Sequence, residues 1–139
     1  MRRSIARLQA AAAKVGADLG GTLGRGWTCE VSGDYVLTVA GLRGSADVVL
    51  PEHVEDEGWF VNHGATPAAL DAALSADADE VVAREAAALL GGQGWQWPLC
   101  RWHDRTLHSC EGFWVCPGDD VAHDVDPVGR LSAGAGSGG

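Results

Sequence analysis

The chain has 139 residues, of which 46% are hydrophobic and 21% charged, so it is long enough to bury a core and has a globular composition. Its 19 acidic residues outnumber 10 basic ones, and the net charge of −9 excludes a generic nucleic-acid binder and disfavours attachment to anionic membranes. No apolar run reaches transmembrane length. Together with the negative charge, this predicts that neither nucleic acid nor a membrane is a partner. Lys, Asn and Ile occur once each, whereas Ala, Gly, Val, Asp and Arg are frequent, which is typical of a high-GC bacterium or its phage.

An amphipathic helix is predicted over residues 3–19. Apolar residues recur there at steps of three and four, as one helical stripe: Ile5, Leu8, Ala12, Val15 and Leu19. Gln9, Lys14 and Asp18 interrupt the segment, which therefore lacks the continuous apolar core of a signal peptide. We therefore expect a cytoplasmic protein whose cysteines are thiols or metal ligands rather than disulfides.

Four strands are predicted after this helix. Apolar and polar residues alternate over 27–31 and 35–39, on either side of a Gly-Asp turn, which predicts a hairpin. Short apolar runs predict two more strands over 46–50 and 57–61. Because the four segments are close in sequence, an antiparallel meander is the economical topology.

Two short helices are predicted next. Thr66 followed by Pro67 is a strong helix start, since Thr caps the backbone and Pro fits the first helical position. Asp77 and Glu80 have the spacing of a capping box and predict the start of a second helix. The glycine pair at 91–92 predicts its end.

Charge is distributed unevenly along the chain. Residues 1–26 carry five basic and one acidic residue, whereas residues 51–91 carry nine acidic and one basic. One interpretation is that the basic first helix lies near the acidic helical stretch. The other is a solvated acidic face.

The composition changes after residue 94. Residues 95–130 hold four of the six Trp, three of the four Cys and three of the five His. Segments 106–110 and 112–116 predict a hairpin, to which 121–125 adds a third strand. The predicted fold class is α+β, with a domain over 1–94, a zinc-ribbon-like hairpin segment over 95–131 and a flexible tail over 132–139.

A candidate zinc site lies in the hairpin segment. Cys100 and His103 are spaced as a tight turn, and Cys116 and Asp119 repeat that spacing after twelve residues. In a zinc ribbon, two such turns each direct two side chains at one ion. The sequence Cys116-Pro117-Gly118 favours a tight turn after a strand. Thiolate and imidazole are suitable donors for zinc, so a structural zinc ion is the predicted cofactor.

The fourth ligand is open at this point. Asp119 has the right spacing but is a less common structural ligand, and His123 is the better donor but lies outside the turn. His108 and Cys110 are further candidates. Cys29 stands alone in the first hairpin and is predicted to be a core residue. The alternative is a metal-free hairpin packed by its own aromatic side chains.

The same segment carries a longer run of residues. It begins with Trp97-Pro98-Leu99-Cys100 and His103, continues through 114–117 and His123, and ends at 128–131. This run resembles the C-terminal segment of small uncharacterised actinobacterial proteins, W-P-x-C-x-x-H…W-x-C-P…V-G-x-L. The match covers about a quarter of the chain. The resemblance implies a zinc-ribbon-like terminal hairpin and a cytoplasmic origin, and it implies no reaction.

Two function classes follow from these patterns. The favoured one is a non-enzymatic, acidic protein-interaction or regulatory scaffold module with an unidentified protein partner, because an acidic surface suits a basic partner and Trp residues are common binding anchors. The alternative is a small enzyme that pairs the thiolate of Cys116 with His103 or His123. No nucleophile elbow, phosphate-binding Gly-rich loop or HExxH sequence supports a reaction, and no pattern indicates an oligomeric state.

Overall fold

Three helices and two antiparallel sheets make up the described part of the computed structural model, residues 1–118 and 120–131. Each sheet has three strands in sequence order. This confirms a mixed helix and sheet protein with an N-terminal helix. The elements in chain order are α1 (Ile5–Leu23), β1 (Thr28–Val31), β2 (Val36–Gly41), β3 (Gly44–Val49), α2 (Glu57–His63), α3 (Pro67–Gly92), β4 (His108–Cys110), β5 (Phe113–Cys116) and β6 (His123–Pro127).

Helix α1 begins at a serine cap and runs past the predicted end. The Ser4 hydroxyl accepts a hydrogen bond from the Arg7 amide at 3.3 Å, which satisfies one free donor of the first turn. The predicted apolar stripe is buried, and Leu8, Val15 and Leu19 are fully inaccessible. Each helical glycine costs about 1 kcal/mol, yet α1 continues through residues 20–21 because its buried face is packed.

The segment predicted as a fourth strand is instead helix α2. Trp59 and Phe60 favour strands by propensity, but the Asp56 carboxylate accepts a hydrogen bond from the Trp59 amide at 3.0 Å and caps a helical turn. Helical geometry buries Phe60 and leaves Trp59 and Val61 more exposed. The first meander therefore has three strands and not four.

A single helix, α3, replaces the two short helices predicted over this region. Its start is as predicted, because the Thr66 hydroxyl accepts a hydrogen bond from the Ala69 amide at 3.1 Å. Asp77 does not start a second helix. Its carboxylate is bound at both oxygens by the Arg3 guanidinium, at 2.8 and 3.1 Å, so it is not available as a cap.

Ion pairs join α1 and the preceding residues to α3. Besides the Arg3 pair, Arg7 lies 2.7 Å from the Asp71 carboxylate and Lys14 lies 2.8 Å from the Asp79 carboxylate. The proximity of the basic and acidic stretches is therefore confirmed. The Arg3 pair is the most buried of the three, so loss of either partner would leave an uncompensated buried charge.

A buried carboxylate on α1 holds the C-terminal part of the chain. Asp18 is 1% exposed and accepts hydrogen bonds from the Trp114 indole at 2.8 Å, the Gly129 amide at 2.8 Å and the Leu131 amide at 2.9 Å. Burial raises the pKa of Asp18, and the three hydrogen bonds oppose that rise. One turn later, the Thr22 hydroxyl accepts a hydrogen bond from the Trp97 indole at 2.8 Å. Helix α1 thus positions both buried tryptophans of the second sheet region.

Most of the buried hydrophobic residues form one cluster. It includes α1, the first sheet, α3 and, from the C-terminal part, Trp97, Leu107, Trp114 and Val128. The division near residue 94 stays a prediction, and the predicted tail over 132–139 lies outside the described residues. No helix in the described ranges combines the length and the apolar character needed to cross a bilayer.

Replacing the buried carboxylate should destabilise the whole fold. We expect Asp18→Asn to lower the free energy of unfolding by about 2–4 kcal/mol, because the new NH₂ group would face a buried donor that needs an acceptor. Denaturant unfolding measures the change. The exposed Asp34→Asn is the matched control, with an expected change within about 0.5 kcal/mol. Equal changes in the two variants would contradict the role of Asp18.

Candidate metal centre

Two thiols and two imidazoles meet beside the second sheet. The ligand atoms of Cys100, His103, Cys116 and His123 all lie within 4.8 Å of one another. Both cysteines are buried and both histidines are half-buried. Among the described residues, this set has the number and type of donors that a metal ion requires.

The spacing of the four donors matches the edges of a metal-centred tetrahedron. With ordinary zinc bond lengths, such edges are about 3.5 Å between sulfur and nitrogen and about 3.3 Å between two nitrogens. The His103 Nδ1 atom lies 3.6 Å from the Cys100 sulfur, 3.4 Å from the Cys116 sulfur and 3.1 Å from His123 Nε2. The Cys100 sulfur lies 3.8 Å from His123 Nε2. These four separations are therefore close to the edges expected around one four-coordinate ion.

A tight turn presents the first two donors. The Asp104 amide donates to the Cys100 carbonyl at 3.1 Å, and Asp104 has a positive φ of 56° that reverses the chain. The Arg101 guanidinium donates to the Asp126 carboxylate at 3.0 Å. Because Asp126 lies on β6, this contact ties the first turn to the strand that carries His123.

A second turn presents Cys116 at the end of β5. The Gly118 amide donates to the Cys116 sulfur at 3.3 Å, which is the arrangement that stabilises a thiolate. Gly118 has a φ of +67°, and a β-carbon there would collide with the carbonyl oxygen of Val121. The turn therefore requires glycine both for its backbone angle and for space.

Strand pairing brings in the fourth donor. Cys116 and His123 are opposite each other in the antiparallel pair of β5 and β6, so the pairing places their side chains together. Of the other candidates, His108 and Cys110 are exposed on β4 and lie outside the cluster. Asp119 is outside the described residues. The pairing register of β5 and β6 identifies His123 as the fourth donor. The sequence predicts the strand but does not show which residues it pairs with.

Burial sets the electrostatics of the thiols. It raises the pKa of Cys116, and the Gly118 amide acts in the opposite direction. Cys29 lies apart in the first sheet, where burial raises its pKa to about 12, as expected for an inert core thiol. A bound cation would reverse this tendency at the cluster, because metal coordination deprotonates a thiol.

Comparisons of the chain with protein-family models, with curated proteins and with solved structures find no match. If all four donors bound one ion, they would fill a tetrahedral coordination sphere and leave no open position for water or substrate. Such coordination is typical of structural metal sites.

Substitution of the turn glycine should weaken metal binding. We expect Gly118→Ala to lower the affinity for Zn²⁺ at least about tenfold, since left-handed strain alone costs about 1–2 kcal/mol and the collision adds to it. Competition with a chromophoric chelator measures the affinity. The matched control is Gly20→Ala on α1, where a β-carbon meets nothing within 4 Å. Unchanged affinity in Gly118→Ala would contradict the geometry assigned to this turn.

Proposed function

We propose that the chain binds one structural zinc ion through Cys100, His103, Cys116 and His123, and that it acts as a non-enzymatic protein-interaction module. The observation that carries the metal assignment is the tetrahedral spacing of two sulfur and two nitrogen donors. Zinc is the first choice of metal because mixed thiolate and imidazole donors in a tetrahedron suit it.

The proposed site has the plan of a zinc ribbon. One turn supplies Cys100 and His103, the end of a hairpin strand supplies Cys116, and the neighbouring strand supplies His123. The resemblance to the actinobacterial segment points the same way, since it implies a zinc-ribbon-like terminus. In this plan Asp119 is not needed as a ligand, because the other four complete the sphere.

The metal would stabilise a sheet that is otherwise short. Strands β4, β5 and β6 have 3, 4 and 5 residues, which is short for strands in globular proteins. An ion shared by the first turn, β5 and β6 would join all three segments. Its binding energy would then be part of the folding energy of this region.

The interaction role is supported by what the surface exposes. Large apolar side chains are exposed, among them Leu42, Val61, Trp95 and Trp102, and the chain has a net charge of −9. The enzyme alternative has less support, because the Cys116 sulfur is buried and adjoins two imidazoles that have the geometry of co-ligands. A nucleophilic thiol is expected to be partly exposed.

Metal analysis tests the zinc assignment. Protein purified without chelator should contain about one equivalent of zinc, because structural zinc is bound tightly. Cys116→Ser should lose most of it, whereas Cys110→Ser, which changes the exposed cysteine outside the cluster, should retain it. His123→Asn and His108→Asn form a second matched pair with the same expectation. Less than about a tenth of an equivalent in the unsubstituted protein would contradict the proposal.

Removal of the metal tests the structural role separately. Chelation should raise hydrogen exchange over residues 95–126 and leave the amides of α1 largely protected, because only the second sheet region would depend on the ion. Protection that is unchanged throughout the chain after complete zinc removal would contradict a structural role.

Affinity capture of the native protein from its source cells tests the interaction role.

A further inference from the structure

A groove separate from the metal centre lies between α2 and α3. Its cavity has a volume of about 530 Å³, within the size range of ligand-binding clefts. We call it the α2–α3 groove, and its defining residues are Asp56, Trp59, Phe60, Ala73, Ala76 and Glu80. The groove combines an apolar floor with a charged rim.

An oriented indole forms one part of the groove. The Trp59 ring stacks on His63 with centroids 4.4 Å apart and meets the Phe60 ring edge-on at 5.0 Å. These contacts hold the ring in place while 37% of Trp59 stays exposed. Ala73 and Ala76 on α3 contribute small side chains that leave room beside it. The groove can therefore take an apolar stem against alanine and a flat group against the indole.

The charge of the groove is negative. Arg3 and Asp77 line it but neutralise each other in their buried ion pair. One further guanidinium, that of Arg84, lines the groove, 3.8 Å from the Glu85 carboxylate. Against it stand four carboxyl groups, those of Glu55, Asp56, Glu80 and Glu111. The field in the groove therefore favours a cationic ligand.

Glu80 is the carboxyl group best placed to select a cation. It is half-buried, and this burial raises its pKa above the ordinary value, while the nearby charge of Arg84 and a hydrogen bond from the Glu111 backbone act in the opposite direction. A carboxylate removed from water in this way gains more from an added positive charge than an exposed one does. The groove thus offers a partly desolvated anion beside an aromatic wall.

We propose that the α2–α3 groove receives an arginine side chain from a basic segment of a partner protein. The proposal rests on the interaction role proposed above and names the chemistry of the partner. A guanidinium can bind a carboxylate through paired N–H donors while its plane stacks on an indole, and its aliphatic stem can cover the alanine floor. The surplus of carboxyl groups in the groove and the overall charge of −9 both complement such a segment.

Calorimetric titration of the zinc-loaded protein with a capped pentapeptide of alternating glycine and arginine tests the proposal. The peptide should bind, and a peptide with neutral citrulline in place of arginine should bind at least about tenfold more weakly. Glu80→Gln and Trp59→Leu should each weaken binding about fivefold or more. Glu30→Gln, the same change on exposed β1, should weaken it less than about twofold.

Four results would overturn the proposal. Equal losses in Glu80→Gln and Glu30→Gln would show general attraction to an acidic protein, and tight binding of the citrulline peptide would remove the need for a cation. Binding of spermine as tight as that of the arginine peptide would indicate a small organic cation instead. Zinc content is measured in the same samples. One equivalent of zinc without peptide binding overturns the groove assignment alone, whereas absence of zinc counts against the proposed metal centre.

Discussion

The structure depends on the approach of four polar donor atoms to a common point. Two thiols and two imidazoles lie within 4.8 Å of one another, with both cysteines buried. Packing such groups away from water is costly unless each finds a partner, and a single shared cation would satisfy all four at once. The convergence brings together the first turn, β5 and β6, which strand pairing and the core around Trp114 also hold.

Helix α1 helps to position these four donors. The carboxylate of Asp18 binds the indole of Trp114 and two amides after β6, and Thr22 binds the indole of Trp97. These tryptophans lie two residues before Cys116 and three before Cys100. The ligands are therefore positioned from outside the sheet as well as within it. Helix α3 is held to the N-terminal segment by the buried Arg3 pair. It forms one wall of the α2–α3 groove, which is separate from the metal centre.

Local patterns in the sequence predicted the parts of the fold that local interactions decide. The stripe of α1, the Thr66 cap and the first hairpin are confirmed because periodicity and capping act within a few residues. The incorrect predictions concern segments whose structure depends on contacts with residues distant in the sequence. Asp77 has the spacing of a cap but is bound by Arg3, and the aromatic pair at 59–60 became helical under the Asp56 cap and packing on α3. Three of the clustered residues follow from turn spacing, but His123 required the register between β5 and β6.

X-ray absorption at the zinc edge of the native protein tests the proposed ligation, because it reports the atoms bound to the metal. We expect two sulfur neighbours at about 2.3 Å and two imidazole nitrogens at about 2.0–2.1 Å, with the outer-shell scattering of two histidine rings. A shell made only of oxygen and nitrogen, or one with a single sulfur, would contradict the joint ligation by Cys100, His103, Cys116 and His123.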